Sequence, residues 1–137
     1  MTERGKAQEI LNRSDNKLSR YNILVADDEY VNRAYFNIVL GKHNYNVIEA
    51  ENGSIAFDIF KSEQKIDLVL MDLKMPVMDG WEATRLIRAH DSRSRIIIIS
   101  AYGLNGEKQR ALDAGADMVM PKPVKPDKLL SAISRYL

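Results

Sequence analysis

The sequence predicts an α/β fold in which a parallel five-stranded sheet is covered by helices on both faces. Three observations carry that prediction. Short, almost wholly apolar runs recur along the chain, among them Asn22 to Ala26 (NILVA), Leu68 to Met71 (LVLM) and Ile96 to Ile99 (IIII). A strand that is apolar on consecutive residues is buried on both faces, as in a parallel sheet layered between helices. Between these runs apolar residues return at helical spacing, so strand and helix alternate along the chain. The runs also stop abruptly at Asp27, Asp72 and Ser100, and open α/β sheets place their ligands outside the carboxyl ends of their strands.

The first unit is Asn22 to Ala26 followed by a helix over Glu29 to Lys42, with Val31, Ala34, Tyr35, Ile38, Val39 and Leu40 as its apolar stripe and Gly41 where it should close. Tyr45 to Ala50 alternates as a strand, and Asn52-Gly53 opens a helix expected to turn Ile55, Ala56, Ile59 and Phe60 inward. The third strand runs into Asp72. Met75-Pro76 then turns the chain, and Asp79 caps a helix in which Trp81, Thr84, Leu86 and Ile87 alternate with Glu82, Arg85 and Arg88. Arg95 to Ser100 is the most β-branched run, and Leu104 to Ala114 is a weaker helix ending at Gly115. Asp117 to Met120 is a short strand leading into Pro121-Lys122-Pro123, and Pro126 starts a last helix with Leu129, Leu130, Ile133, Tyr136 and Leu137 inward. Right-handed crossovers leave few topologies for five such units, and the commonest at this size is the flavodoxin-like strand order 2-1-3-4-5.

A chain of 137 residues, 45% hydrophobic, has the size of one domain with a single core, placed at residues 21–137 behind a polar tail or linker over 1–20. With 20 Lys plus Arg against 19 Asp plus Glu the net charge is +1, so no general attraction to nucleic acid or anionic membrane is expected, and no helix reads as a basic recognition helix. The absence of cysteine excludes disulfides and thiolate metal sites. No apolar stretch nears the roughly 18 residues of a membrane span, and the N-terminus lacks a signal-peptide core, so the chain reads as soluble and cytoplasmic.

In the 2-1-3-4-5 order strand 1 neighbours strand 3, which puts Asp27 and Asp28 roughly 4.8 Å, one strand spacing, from Asp72. Ser100 lies one strand further, and the long stem of Lys122 brings its ammonium back over the crevice. Three acids so placed repel one another by about 4 kcal/mol per pair at an effective dielectric near 20. A hard cation with oxygen ligands relieves this, and Mg²⁺ suits few carboxylates, several waters and a phosphate oxygen. Asp28 and Asp72, with Asp27 directly or through water and the Lys74 backbone carbonyl, are the expected ligands. The Asp72 carboxylate can then attack a phosphoryl group, with Lys122 and the Ser100 hydroxyl stabilising its oxygens and small Ala101 leaving it accessible.

Taken singly, these residues have plainer explanations. A strand-end Asp is more often a helix cap, Lys122 a solvated lysine and Ser100 a turn residue. Tyr30, Tyr35 and Trp81 read as packing residues, His43 and His90 as structural residues near helix C-termini, and Arg85, Arg88, Arg93 and Arg95 as a solvated face. The convergence of five polar groups on one crevice is what outweighs these readings.

Asp27-Asp28 after the first strand, MDLKMPVMDG around Asp72, Ser100-Ala101 after the fourth strand and Lys122-Pro123 after the fifth together resemble a response-regulator receiver domain of two-component signalling. The resemblance covers about Tyr21 to Leu137. The wording around Asp72, with Glu29 and Asn32 after the acid pair, is similar to receivers of hybrid histidine kinases. It implies that Asp72 accepts a phosphoryl group from a phosphohistidine on a histidine kinase or histidine phosphotransfer domain. It further implies Mg²⁺ bound by Asp27, Asp28 and Asp72, a phosphate contact from Lys122, and a cis peptide before Pro123. The Ser100 hydroxyl would turn toward the phosphoryl group and shift the face made by the fourth helix, fifth strand and fifth helix, which partner proteins read. One departure is Val119, where the family commonly has an aromatic ring. Lys74 and Tyr102 occupy positions that tune phosphoryl lifetime in such domains. No separate substrate turnover is expected.

Three rivals stand beside this reading. A Mg²⁺-dependent aspartyl-phosphate phosphohydrolase would need a substrate-selecting cap, for which the short loops leave little room. A pseudo-receiver that binds partners without phosphorylation would not need the full set Asp27, Asp28, Asp72, Ser100 and Lys122. A nucleotide-binding flavodoxin relative is weaker still, since Asp27-Asp28-Glu29 stands where a glycine-rich loop would be.

Overall fold

The computed structural model describes residues 20–101 and 106–137. The expected tail apart from Arg20, together with Tyr102 and Leu104, lies outside the described residues. The elements in chain order are β1 (Asn22–Ala26), α1 (Tyr30–Gly41), β2 (Asn46–Ala50), α2 (Gly53–Lys61), β3 (Leu68–Asp72), α3 (Gly80–His90), β4 (Ile96–Ser100), α4 (Gly106–Ala114), β5 (Met118–Pro121) and α5 (Pro126–Tyr136). The strands pair in parallel in the order β2-β1-β3-β4-β5, as the sequence predicts.

The consecutive apolar residues of β1, β3 and β4 split between two core layers because successive side chains point to opposite faces. Leu24, Val69, Met71, Ile96 and Ile98 meet Ala56 of α2, Ala83 and Ile87 of α3 and Ala111 of α4. Ile23, Val25, Leu68, Leu70, Ile97 and Ile99 meet Phe36 and Leu40 of α1 and Leu129 and Ile133 of α5. Each fully buried aliphatic side chain contributes about 1.5–3 kcal/mol, so these central strands anchor the crevice at their ends.

Local signals act as expected at several element ends. The Asp79 side chain accepts from Glu82 N at 2.9 Å, and Asn52 accepts from Ile55 N at 2.9 Å, so both helices carry side-chain caps. Gly115, at φ 119°, ends α4. After α1 the left-handed residue is Asn44, at φ 65°, and not Gly41. An asparagine tolerates that conformation better than most residues.

Two helical stripes differ from expectation. On α1 the buried residues are Arg33, Phe36, Val39 and Leu40, whereas Val31 and Ile38 are 73% and 61% exposed. Val31 and Ile38 lie seven residues apart and share one outer face, opposite the inward row 33, 36, 40. On α2, Gly53 and Ala56 are buried while Ile55 is exposed, because the inward row starts at the glycine. Gly53 N donates to Met78 O at 2.9 Å, and a Cβ there would lie 2.5 Å from that oxygen.

Candidate functional site

The strand register brings the polar ends together. Ala26 of β1 pairs with Met71 of β3, so the residues after them, Asp27 and Asp72, leave adjacent strands side by side. Asp72 is the last residue of β3, and the loop after it is pinned where Gly80 N donates to Leu73 O at 2.8 Å. A Cβ on Gly80 would stand 2.0 Å from Asp72 O, so this approach of α3 to the strand end requires glycine. Ser100 closes β4 and pairs with Pro121 of β5, while Lys122 N donates to Ser100 O at 2.8 Å.

Asp27, Asp28 and Asp72 each place a carboxylate oxygen within 4.8 Å of the others. Asp27 and Asp72 are buried and Asp28 is exposed. The Lys122 ammonium lies 3.2 Å from Asp27 Oδ2 and 3.3 Å from Asp72 Oδ1. Asp72 Oδ1 also accepts from Leu73 N at 2.9 Å. Asp27 Oδ1 accepts from Glu29 N at 2.9 Å, and Asn32 Nδ2 lies 3.2 Å from Asp27 Oδ2. The buried Ser100 hydroxyl donates to Glu107 Oε1 of α4 at 3.3 Å. The Lys122-Pro123 peptide bond is cis, as the resemblance implies.

Burial pushes the Asp72 carboxyl up to about 6; Lys122 pulls it back, Asp27 pushes the same way as burial, and the Leu73 N–H lowers it. For Lys122, burial opposes the ammonium, but Asp72 and Asp27 outweigh it and leave its pKa raised. Burial and Asp27 together thus leave the Asp72 charge under-compensated despite the nearby ammonium. A set of three carboxylates with oxygen donors and a deficit of positive charge fits a divalent hard cation such as Mg²⁺.

Two of the plainer readings, those of Tyr30 and Arg88, resolve differently. Lys74 is exposed, with its ammonium 6.0 Å from the Trp81 ring centroid. Trp81 is buried and Tyr35 donates to Val124 O at 2.6 Å, as packing residues do, but Tyr30 is 72% exposed. Its place in the first turn of α1 points it away from the sheet. His90 meets the rings of Phe57 and Phe60 edge-on, each at 6.1 Å, and His43 sits in the turn after α1, its N donating to Leu40 O. Arg88 does not belong to a solvated face: it donates to the carbonyls of Gly115, Ser92 and Ser94 and pairs with Asp117 at 3.0 Å. It clasps the end of α3 to the turn before β5.

Sequence reasoning alone does not find Arg33, Asn32 or Glu107 as parts of the site. Arg33 is buried, donates to Asp27 O at 2.9 Å and to Glu49 Oε1 at 2.8 Å, and so braces the loop of the acid pair. Asn32 comes three residues after Glu29, whose carboxylate it meets at 3.1 Å, a helical spacing that could have flagged it. Beside Lys122, a groove of about 610 Å³ is lined by Val31, Tyr35, Phe36, Pro123, Val124 and Pro126, among others.

Fold and pocket together define a doubly wound α/β domain whose strand ends hold an acid triad and a lysine. Residues 23–134 match the response regulator receiver domain, and the chain belongs to that family, the phosphoacceptor domains of two-component signalling. It is 38% identical over 115 residues to sporulation initiation phosphotransferase F of Bacillus subtilis, covering 84% of this chain and 92% of that one. It is 39% identical over 118 residues to the chemotaxis protein CheY of the same organism, covering 85% and 98%. Among solved structures, the receiver domain of a Pseudomonas aeruginosa sensor histidine kinase, with a magnesium ion coordinated in its active-site cleft, superposes at a TM-score of 0.80. That domain is 32% identical, with 86% of this chain and 98% of the other covered. Among the described residues no helix is long and apolar enough to cross a membrane.

Proposed function

We propose that Asp72 is the phosphoacceptor of this domain and that the donor is a phosphohistidine on a histidine kinase or histidine phosphotransfer protein. The observation that carries this reading is the meeting of Asp27, Asp28 and Asp72 within 4.8 Å, with the Lys122 ammonium against two of them. Asp27, Asp28, Asp72 and the backbone carbonyl of Lys74 would hold Mg²⁺. When bound, the ion supplies charge neutralisation to the transferring phosphoryl oxygens. Asp72 attacks phosphorus through a carboxylate oxygen as the phosphorus–nitrogen bond to the donor imidazole breaks. Lys122, already in ion-pair range of Asp72, stabilises a second phosphoryl oxygen, and the Ser100 hydroxyl a third.

The apolar groove beside Lys122 gives a protein donor a contact surface at the rim of the acid pocket. The face of α4, β5 and α5 is proposed to be read by downstream proteins, with no direct nucleic-acid role and a cytoplasmic setting. The domain turns over no separate substrate; it catalyses only its own phosphorylation and dephosphorylation. Intact-mass measurement after incubation with Mg²⁺ and acetyl phosphate tests this. One added phosphoryl group is expected, lost with chelator and in Asp72→Asn; an adduct that persists in Asp72→Asn would move the acceptor elsewhere.

A further inference from the structure

Ser100 and α4 share a contact that the phosphoacceptor reading does not use. The Ser100 hydroxyl is buried at the end of β4 and donates to Glu107 Oε1 at 3.3 Å. Glu107 lies in the first turn of α4 and is only half-buried. One helical turn on, at the i+3 position that shares its face, Arg110 lays its guanidinium carbon 4.0 Å from the centroid of the buried Trp81 ring. Trp81 stands on α3, directly after the Gly80 that is pinned to the Asp72 loop. Apolar anchoring of this helix is slight: Ala111 is its buried residue. Polar contacts therefore do much of the seating of α4.

A serine hydroxyl has one proton to donate. It cannot serve Glu107 and a phosphoryl oxygen together. We propose that Glu107 is a latch on Ser100: it accepts the Ser100 hydroxyl in the resting state, must surrender it when Asp72 is phosphorylated, and so couples the seating of α4 to the phosphoryl group. This rests on the phosphoacceptor reading and adds its regulation. The exchange runs toward the phosphoryl group because that group carries more charge and several strong acceptor oxygens. The freed Glu107 carboxylate is half-exposed and can be hydrated. Val119, half-buried on β5 against the core, offers no ring to follow Ser100. The latch passes the change to α4 through a carboxylate on the helix itself.

Glu107 acts through Ser100 and is a positioning residue, so the test must separate the latch from mere charge removal or loss of structure. The 137-residue chain is titrated with beryllofluoride, a phosphoryl mimic, at saturating Mg²⁺, and separately with Mg²⁺ alone, by calorimetry. Glu107→Ala is expected to tighten beryllofluoride binding about three- to tenfold, the worth of one competing hydrogen bond, and to leave Mg²⁺ binding within about twofold. Glu107→Gln keeps an acceptor oxygen and is expected to tighten it less. In a Ser100→Ala background the Glu107→Ala effect is expected to vanish. Equal affinities for wild type, Glu107→Ala and Glu107→Gln would overturn the latch, as would the same tightening with Ser100 removed, which would mark simple charge repulsion. Wild-type protein that binds Mg²⁺ but no beryllofluoride would overturn the phosphoacceptor reading and the latch with it.

Discussion

Replacing Asp72 with asparagine is expected to stabilise the metal-free protein at neutral pH. The Asp72 carboxyl titrates at about 6 in the fold against an ordinary value of 3.8, a rise that corresponds to about 3 kcal/mol. The sign comes from linkage. A raised folded pKa means that the native state holds its proton more tightly, so the contribution is fully present below 3.8 and is lost as pH rises through 6. An asparagine side chain at this position would mimic the neutral acid, keeping an oxygen for Leu73 N without the buried charge. Urea unfolding in chelator should therefore find Asp72→Asn more stable by about 3 kcal/mol at pH 7.5 and close to wild type at pH 3.5, with most of the divergence between pH 4 and 6. In thermal melts at pH 7.5 the gain corresponds to about 10 °C for a domain of this size. Mg²⁺ at a hundred times its dissociation constant should return about 2.7 kcal/mol to the wild type and little to the variant. A variant less stable than wild type in chelator at pH 7.5, or a stability difference that does not change between pH 4 and 7, would refute the burial argument for Asp72.

Gly80→Ala should destabilise the domain by about 3 kcal/mol or more, because its Cβ would stand 2.0 Å from Asp72 O, and the helix-propensity gain of about 1 kcal/mol cannot offset a backbone clash; a stability within about 0.5 kcal/mol of wild type in urea would show that α3 shifts freely. Arg88→Ala should cost about 2–3 kcal/mol through the lost donors to Gly115, Ser92, Ser94 and Asp117, with faster hydrogen exchange at Ala116 and Asp117. Unchanged exchange there would mean that the clasp does not hold the turn before β5.

Periodicity and the abrupt end of an apolar run are the two signals that made most of the fold legible in the chain. The five-unit alternation sets the fold class, and a charge directly after LVLM can only sit at the mouth of the sheet, so Asp72 was legible without its neighbours. Asp27 and Lys122 became legible once the strand order was granted, since β1 must then border β3 and a long lysine stem can cross β4. Contacts made by polar side chains with backbone carbonyls left no such trace. Arg88 resembles any other arginine on an amphipathic helix until the turn at Gly115 is folded against it. Arg33 occupies the inward row of α1, where a hydrophobic residue is expected, and only the Asp27 carbonyl and Glu49 carboxylate waiting there make its burial tolerable.

The exposed residues of α1 carry the complementary lesson. Val31 and Ile38 have the spacing of a core stripe, yet a single helix packed on one side of a sheet has only one inward row, and here Phe36 and Leu40 fill it. Apolar spacing alone does not say which of two rows faces the sheet; the register of the helix against β2 and β1 decides that. The excess apolar row therefore emerges beside Lys122, where Val31 and Tyr35 line the groove with Pro123, Val124 and Pro126. Covering apolar surface there while reaching for Asp72 would let a donor protein draw binding energy and chemical access from one docking step, since the crevice mouth and the groove share Lys122.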